Sequence, residues 1–324
     1  DDDGGSMPIY AAVSTSDLNV GGNAIAVFGS QLDVFSDQFG AGVSSNAKAM
    51  SFLQGPAMGS LRPFASVGAQ RFNYDATATT QDLGLSVGNV TFGLAGTMES
   101  GLDLAFGLGL LSAAGESGIT DYDVSGYYLG GSVGSTFGGF DVDVGLGFGM
   151  LSTDKSRAFS ATDIATASFD SNFVTAHLGA QRSFQMGSGV NLTGFGQVRY
   201  TRQNDDGYAE TGSAAAATVD ARTVEVTEST LGAEASKELN NGGVLSGSLT
   251  AMSRQFSGDA TTAVTMFGQT ANILDANANF EGVSVGIGYE QQVMDGAVLN
   301  LSLDHDLGSD GSGPNLAAGL TWSF

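Results

Sequence analysis

The connections between the strand-like segments of this chain alternate between tight and long, and that sorting constrains the fold more than any motif does. Tight connections stand at "MESG" (98–101), "FGGF" (137–140), "MGSG" (186–189), "NNGG" (240–243) and "MDGA" (294–297). Longer polar stretches lie between them, at 75–80, 115–121, 153–166, 203–220, 257–274 and 308–313. A soluble sandwich has no physical reason to sort its loops by side. A transmembrane β-barrel does, with short turns at one membrane face and long loops at the other.

The segments themselves carry a period of two. In 140–150, Phe140, Val142, Val144, Leu146, Phe148 and Met150 share one face, opposite Asp141, Asp143, Gly145, Gly147 and Gly149. In 190–200, Leu192, Val198 and Tyr200 oppose Asn191, Thr193, Gln197 and Arg199. In 297–306, Ala297, Leu299, Leu301 and Leu303 oppose Asn300, Ser302, Asp304 and Asp306. Alternation alone also suits a sandwich with one solvated face; the connection lengths decide between the two.

Counted this way, strands fall near 60–74, 79–98, 102–115, 120–137, 140–153, 167–186, 190–203, 221–240, 244–257, 275–294, 297–308 and 314–324. Twelve is an even number, as single-chain bacterial barrels require. A hairpin at "VGNV" (87–90) would make thirteen, because the apolar phase flips there from Leu83, Leu85 and Val87 to Val90, Phe92 and Leu94. The flip is read as a β-bulge at Gly88–Asn89, which reverses facing without ending the strand. The expected fold is all-β: a 12-stranded antiparallel transmembrane β-barrel over 60–324 with an N-terminal helical segment in the lumen.

Composition supports this and removes competitors. The longest apolar windows, such as "LDLAFGLGLL" (102–111), fall short of the roughly 20 residues of a membrane helix. Eleven Lys and Arg against 34 Asp and Glu leave a net charge of −23, which argues against nucleic acid as a partner. The absence of Cys removes disulfides, thiolate zinc sites and thiol catalysis together. The chain opens "DDDGGS" with no charged and apolar leader, so a signal peptide is expected to have been removed, or the start to be a processing boundary.

The expected lumen face is small and polar: Asp141, Asp143, His177, Gln181, Asn191, Gln197, Arg199, Asn300 and Asp304, with many glycines leaving room for something inside. On the last strand Leu316, Ala318, Leu320, Trp322 and Phe324 share the lipid face, with the aromatic pair at the interface. In its ending "GLTWSF" the chain resembles outer-membrane barrels in general, whose last strand ends in an aromatic residue. The resemblance implies that Leu320, Trp322 and Phe324 form the signal read by the barrel assembly machinery, after delivery by periplasmic chaperones.

The residues before the first strand read differently. "VSSNAKAMSFLQGP" (43–56) offers Ser44 or Ser45 as N-cap, helix formers through Leu53, Gly55 past the end and Pro56 as a stop. A second amphipathic candidate is 23–39, with Ile25, Phe28, Leu32, Phe35 and Phe39 at helical spacing; a strand plus turn is its rival. A helical segment ahead of a twelve-stranded barrel that closes on an aromatic residue resembles the translocator domain of monomeric autotransporters, the type V secretion proteins of Gram-negative bacteria. The resemblance implies a linker over 23–59 that threads or plugs the pore, carried by Ser45, Ala47, Lys48, Met50, Phe52 and Leu53. Residues 1–22 would be a passenger remnant or a connection to it, and the covalently linked passenger would stand at the cell surface. The expected function is export or anchoring of that passenger, by a barrel whose linker-filled lumen favours a monomer among outer-membrane lipids. No twin-Asn cleavage junction is found, only the isolated Asn46. The alternative is a stand-alone porin or channel with an N-terminal plug.

Catalysis is not expected. His177 on the lumen face lacks a matched nucleophile and orienter. Asp304, His305 and Asp306 sit where omptin proteases keep Asp and His groups, without the rest of such a site, so a protease or lipase using either histidine is the weakest reading. "QNDDG" (203–207) and "GSDGSG" (308–313) do not follow EF-hand spacing, and "GLLSAAGES" holds no nucleophile elbow. No nucleotide-binding loop is present. No metal and no cofactor is expected, and the loop 203–220 is expected to be flexible.

Overall fold

The computed structural model describes residues 22–31, 33–34, 61–74, 82–259, 261–274, 279–308 and 311–323. Twelve strands close into an antiparallel barrel: β1 (Arg62–Tyr74), β2 (Leu83–Thr97), β3 (Asp103–Ser117), β4 (Thr120–Phe137), β5 (Phe140–Ser160), β6 (Asp163–Gln185), β7 (Val190–Asp205), β10 (Arg222–Glu238), β11 (Val244–Gly258), β14 (Phe280–Met294), β15 (Ala297–Gly308) and β16 (Gly311–Ser323). Each pairs with its sequence neighbours in the barrel. The seam closes where β1 meets β16, from Phe64 opposite Ser323 to Phe72 opposite Asn315. No helix among the described residues is long and apolar enough to cross a membrane.

The period of two becomes two surfaces. Phe92, Leu108, Leu129, Phe148 and Val174 are register partners in turn across β2 to β6, so they form one row, and all five point outward. Leu129 is 60 % exposed and its neighbour in sequence Tyr128 is 1 % exposed, which is the alternation of a wall with lipid on one side. Leu316 lies on the same outward surface, with Leu320 and Trp322 half-buried further along β16; Phe324 lies outside the described residues.

The expected bulge at Gly88–Asn89 is absent. Both ladders of β2 run through these residues without a shift, Gly88 opposite Ala69 and Ser112, Asn89 opposite Gly68 and Leu111. The apolar phase flips because the contents of the lumen change along the strand. Leu85 and Val87 point inward like Asn89 and Thr91, and meet an apolar core rather than a polar cavity.

Two of the expected long loops are strands. β3 and β4 continue to a turn at 118–119, and β5 and β6 to one at 161–162, so 115–121 and 153–166 form hairpins. At 21 and 23 residues, β5 and β6 are about twice the length that spans a bilayer, and their ends stand above it. The stretches 203–220 and 257–274 are also structured. β7 runs to Asp205; β8 (Tyr208–Ala209) and β9 (Ala217–Val219) follow it, and β12 (Thr261–Met266) and β13 (Gln269–Leu274) form a hairpin between β11 and β14. The four short strands make one sheet, joined where Ala217 and Val219 pair with Met266 and Val264. The Ala-rich segment reads as flexible in isolation because its partner strand is some 45 positions further along the chain.

This sheet caps the loop-side mouth. Its underside, with Tyr208, Ala217, Val219, Val264 and Met266, joins one core with Val27, Phe28, Phe72, Leu85, Leu111, Tyr122, Phe169 and Phe173. Toward the tight turns the lumen is instead a polar cavity of about 1080 Å³.

Candidate functional site: the occupied lumen

A short helix, α1 (Gly22–Ser30), fills the core of the capped half. Ile25, Ala26, Val27 and Phe28 are each at most 4 % exposed, and a helix apolar all round is a buried helix. The helical reading of the region therefore holds over its first part, while Leu32, Phe35 and Phe39 lie outside the described residues. So do Ser45, Ala47, Lys48, Met50, Phe52 and Leu53. Gly29 meets the wall of β7, where a Cβ would stand 2.3 Å from Thr201 Oγ1, so a larger residue at 29 needs the Thr201 side chain to turn aside.

The direction of α1 is fixed by its neighbours. Ile25 and Ala26 pack with Val224, Val226 and Phe256, close to the loop-side ends of β10 and β11. Ser30, Gln31 and Val34 line the cavity that reaches Ser188, Gly189 and Asn240 at the tight turns. The chain thus runs down the lumen from the capped mouth toward the turn side.

Polar contacts then hold it. Gln31 Nε2 donates to Val27 O and to Gln70 Oε1, each at 3.1 Å, while Asn89 Nδ2 donates to Gln31 Oε1 at 2.8 Å. Asp33, 1 % exposed, accepts from Arg199 Nη2 and lies 4.0 Å from His177 Nδ1. Behind it His177 Nε2 and Asp143 Oδ2 are 2.7 Å apart. Arg199 Nη1 reaches Glu228 Oε1 at 3.2 Å, and Arg254 Nη2 donates to Glu228 Oε2 at 2.7 Å. Three carboxylates thus face two guanidinium groups and an imidazole. Gly145 makes room for His177, since a Cβ there would be 2.1 Å from the ring.

A second buried cluster ties the cap to the tall hairpin. Glu210 accepts from Arg157 Nη2 and pairs with Lys155 Nζ at 3.0 Å, with all three side chains fully buried. Lys155 Nζ also donates to Tyr208 OH at 2.9 Å, and the Tyr208 ring stacks on Phe169 at 4.8 Å. Burial alone would raise the Glu210 carboxyl, but the Arg157 hydrogen bond and the charges of Lys155 and Arg157 outweigh it and hold it below the usual Glu range.

Of the lumen residues named from sequence, the structure gathers Asp143, His177, Gln197 and Arg199 around Asp33. Gln181 is buried and lines the cavity, as do Asn300 and Asp304 on the far wall and exposed Asn191 at its rim. Asp141 is half-buried at the turn side, bonded by Thr136 Oγ1 at 2.7 Å. His305 points outward, opposite in facing to His177, and the two histidines share no site. Sequence reasoning missed Asp33 and Glu228. The available signal for Asp33 was its being the one charge between Leu18 and Ser36.

Comparison with known proteins places this geometry. A family model described as "Autotransporter beta-domain" matches residues 63–304. The chain is similar in structure to the translocator domain of autotransporter NalP from Neisseria meningitidis, at 15 % identity and a TM-score of 0.70, with 93 % of this chain and 97 % of that one covered. It is also similar to the beta domain of the Bordetella autotransporter BrkA, at 15 % identity and a TM-score of 0.57, with 82 % of this chain and 99 % of that one covered. Comparison with curated protein sequences returns no match.

Proposed function

The chain belongs to the autotransporter beta-domain family, and from that premise we propose that α1 is the retained end of an exported polypeptide, held in the pore by Asp33. The barrel is a translocator of the bacterial outer membrane. Its capped end is the extracellular one, its tight turns are periplasmic, and residues 1–22 connect upward to a passenger at the cell surface. Residues 23–59 are the linker, and 60–324 the barrel. Insertion uses the barrel assembly machinery and periplasmic chaperones, with Leu320, Trp322 and Phe324 as the signal. The barrel does no chemistry of its own.

The observation that carries this reading is the direction of α1, with Ile25 and Ala26 at the loop-side ends of β10 and β11 and Val34 over the turn-side cavity. A chain leaving the cell through this barrel N-terminus outermost would lie in that direction. The test places an epitope and a protease site ahead of Asp1, behind a leader for export, and adds protease to intact cells. The epitope should be released while the barrel stays whole. Protection in intact cells, with cleavage only after the outer membrane is permeabilised, would contradict the assignment.

A further inference from the structure

From Gln255 to Phe324 the chain carries eight Asp and Glu and no Lys or Arg. Two of these carboxylates, Asp304 and Asp306, point into the lumen from β15 and are 3 % and 5 % exposed. Register sets what surrounds the first. Glu234 pairs with Ser248, Ser248 with Gly286, Gly286 with Asp304 and Asp304 with Asn315, so these five residues stand at one level on five adjacent strands. A Cβ on Gly286 would lie 2.1 Å from Asp304 Oδ1 and 2.6 Å from Ser248 Oγ. The carboxylate and the hydroxyl therefore converge over bare backbone.

The hydrogen bonds do not close around this point. Among the described residues Asp304 Oδ2 and Asn315 Oδ1 are buried without a partner, as is Asn300 Oδ1 further along the wall. Asn315 Nδ2 donates to Asp306 Oδ2 at 2.7 Å, which leaves its carbonyl oxygen as the free end. Every unpartnered atom is an oxygen able to accept, and a buried carboxylate oxygen left in that state is strongly unfavourable. Among the described residues no Lys or Arg side chain satisfies these oxygens.

We propose that this wall binds a divalent cation of the calcium type, anchored by Asp304 with Ser248 and Asn315 as neutral oxygen ligands. Oxygen donors without His or Cys select a hard cation, and calcium accepts the irregular, partly hydrated sphere that magnesium resists. Among the described residues no group of three or more Asp, Glu or His is placed for a metal, so the sphere has one carboxylate and is completed by water from the cavity that Asp304, Ser302 and Asn300 line. Because Asn315 also pairs with Phe72 of β1, the ion braces the two strands beside the seam. The inference is independent of the export reading.

The test uses the full chain refolded in detergent and stripped with a chelator, with calcium uptake followed by calorimetry and thermal melting. One calcium per chain and a rise in melting temperature are expected. Asp304→Asn should weaken binding at least tenfold, and Ser248→Ala less. Without calcium, Asp304→Asn should melt above the parent, because an unpaired buried charge has been removed; with calcium the order should reverse. Absence of uptake by the parent, or unchanged affinity in Asp304→Asn, overturns the proposal. So does uptake that appears only in Lys48→Met, because Lys48 is the one basic residue before Arg62 and its ammonium would then be the cation of this wall.

Discussion

The two halves of the lumen share one wall and differ in what the wall encloses. Toward the loops it surrounds a packed core of α1, cap and inward aromatic side chains, with its charges paired out of water. Toward the tight turns the same strands enclose a cavity of about 1080 Å³ lined by Ser, Asn, Gln and glycine together with charged residues such as Glu234, Lys237 and Asp304. Outward, the pattern is the same in both halves wherever the wall meets lipid. The outer face of the barrel is dictated by its solvent, while the inner face is dictated by its occupant. A filled half behaves like a soluble core, where each side chain matters, and the exposed rim of the open half tolerates change.

The largest difference between the halves should come from charge. Arg199→Ala leaves Asp33 and Glu228 buried with too little positive charge, and removing one partner of a buried pair typically costs about 3–5 kcal/mol. Thermal unfolding of the refolded protein should register it, and a melting point equal to the parent's would mean that Asp33 is not docked there. Next in size is packing. Phe28→Ala, at 1 % exposure, should cost about 3 kcal/mol by emptying the core between plug and cap. Faster hydrogen exchange in β9 and β12 would show that the plug supports the cap; unchanged exchange would separate them.

A smaller effect follows from acid. The Glu210 carboxyl is held below its usual value when folded, so its contribution is complete above the unfolded value of about 4.3 and is lost as pH falls through the lowered folded value. Pepsin should therefore nick 206–221 increasingly as pH drops below about 4, while Glu210→Gln should be open already and show a flatter pH profile. Last, Asn191→Ala at the exposed rim of the open half should leave the melting point where it is, since surface substitutions usually shift stability by less than about 0.5 kcal/mol. A large loss there would show that the cavity is filled in solution.

The same contrast explains what the sequence made legible. The strands, their number and the tight turns follow from local rules, a period of two against lipid and glycine-rich connections, and Val144, Leu146 and Phe148 obey them without knowledge of the interior. The interior does not follow from local rules. Leu85 and Val87 carry the residue types of a lipid face but point into the core, and without the occupant in view the phase flip at 88–89 reads as a bulge. The cap was hidden for a related reason. Val219 acquires its strand partner only at Val264, and no pattern within 203–220 announces it. Asp143, His177, Gln197 and Arg199 could be placed on the lumen face by parity, but the group they converge on, Asp33, lies 110 residues before the nearest of them in sequence.

The occupied outer half can be tested most directly by cross-linking. The chain has no cysteine, so a Gly29→Cys, Thr201→Cys pair reports without background. A Cβ on Gly29 would lie 3.2 Å from that of Thr201, close to the separation a disulfide bridges. In the outer membrane of growing cells this pair should oxidise almost completely, and a control pair of Gly29→Cys with Ser188→Cys at the turn-side rim should not. The reverse outcome, or cross-linking of neither, would place α1 elsewhere and remove the basis for a retained plug.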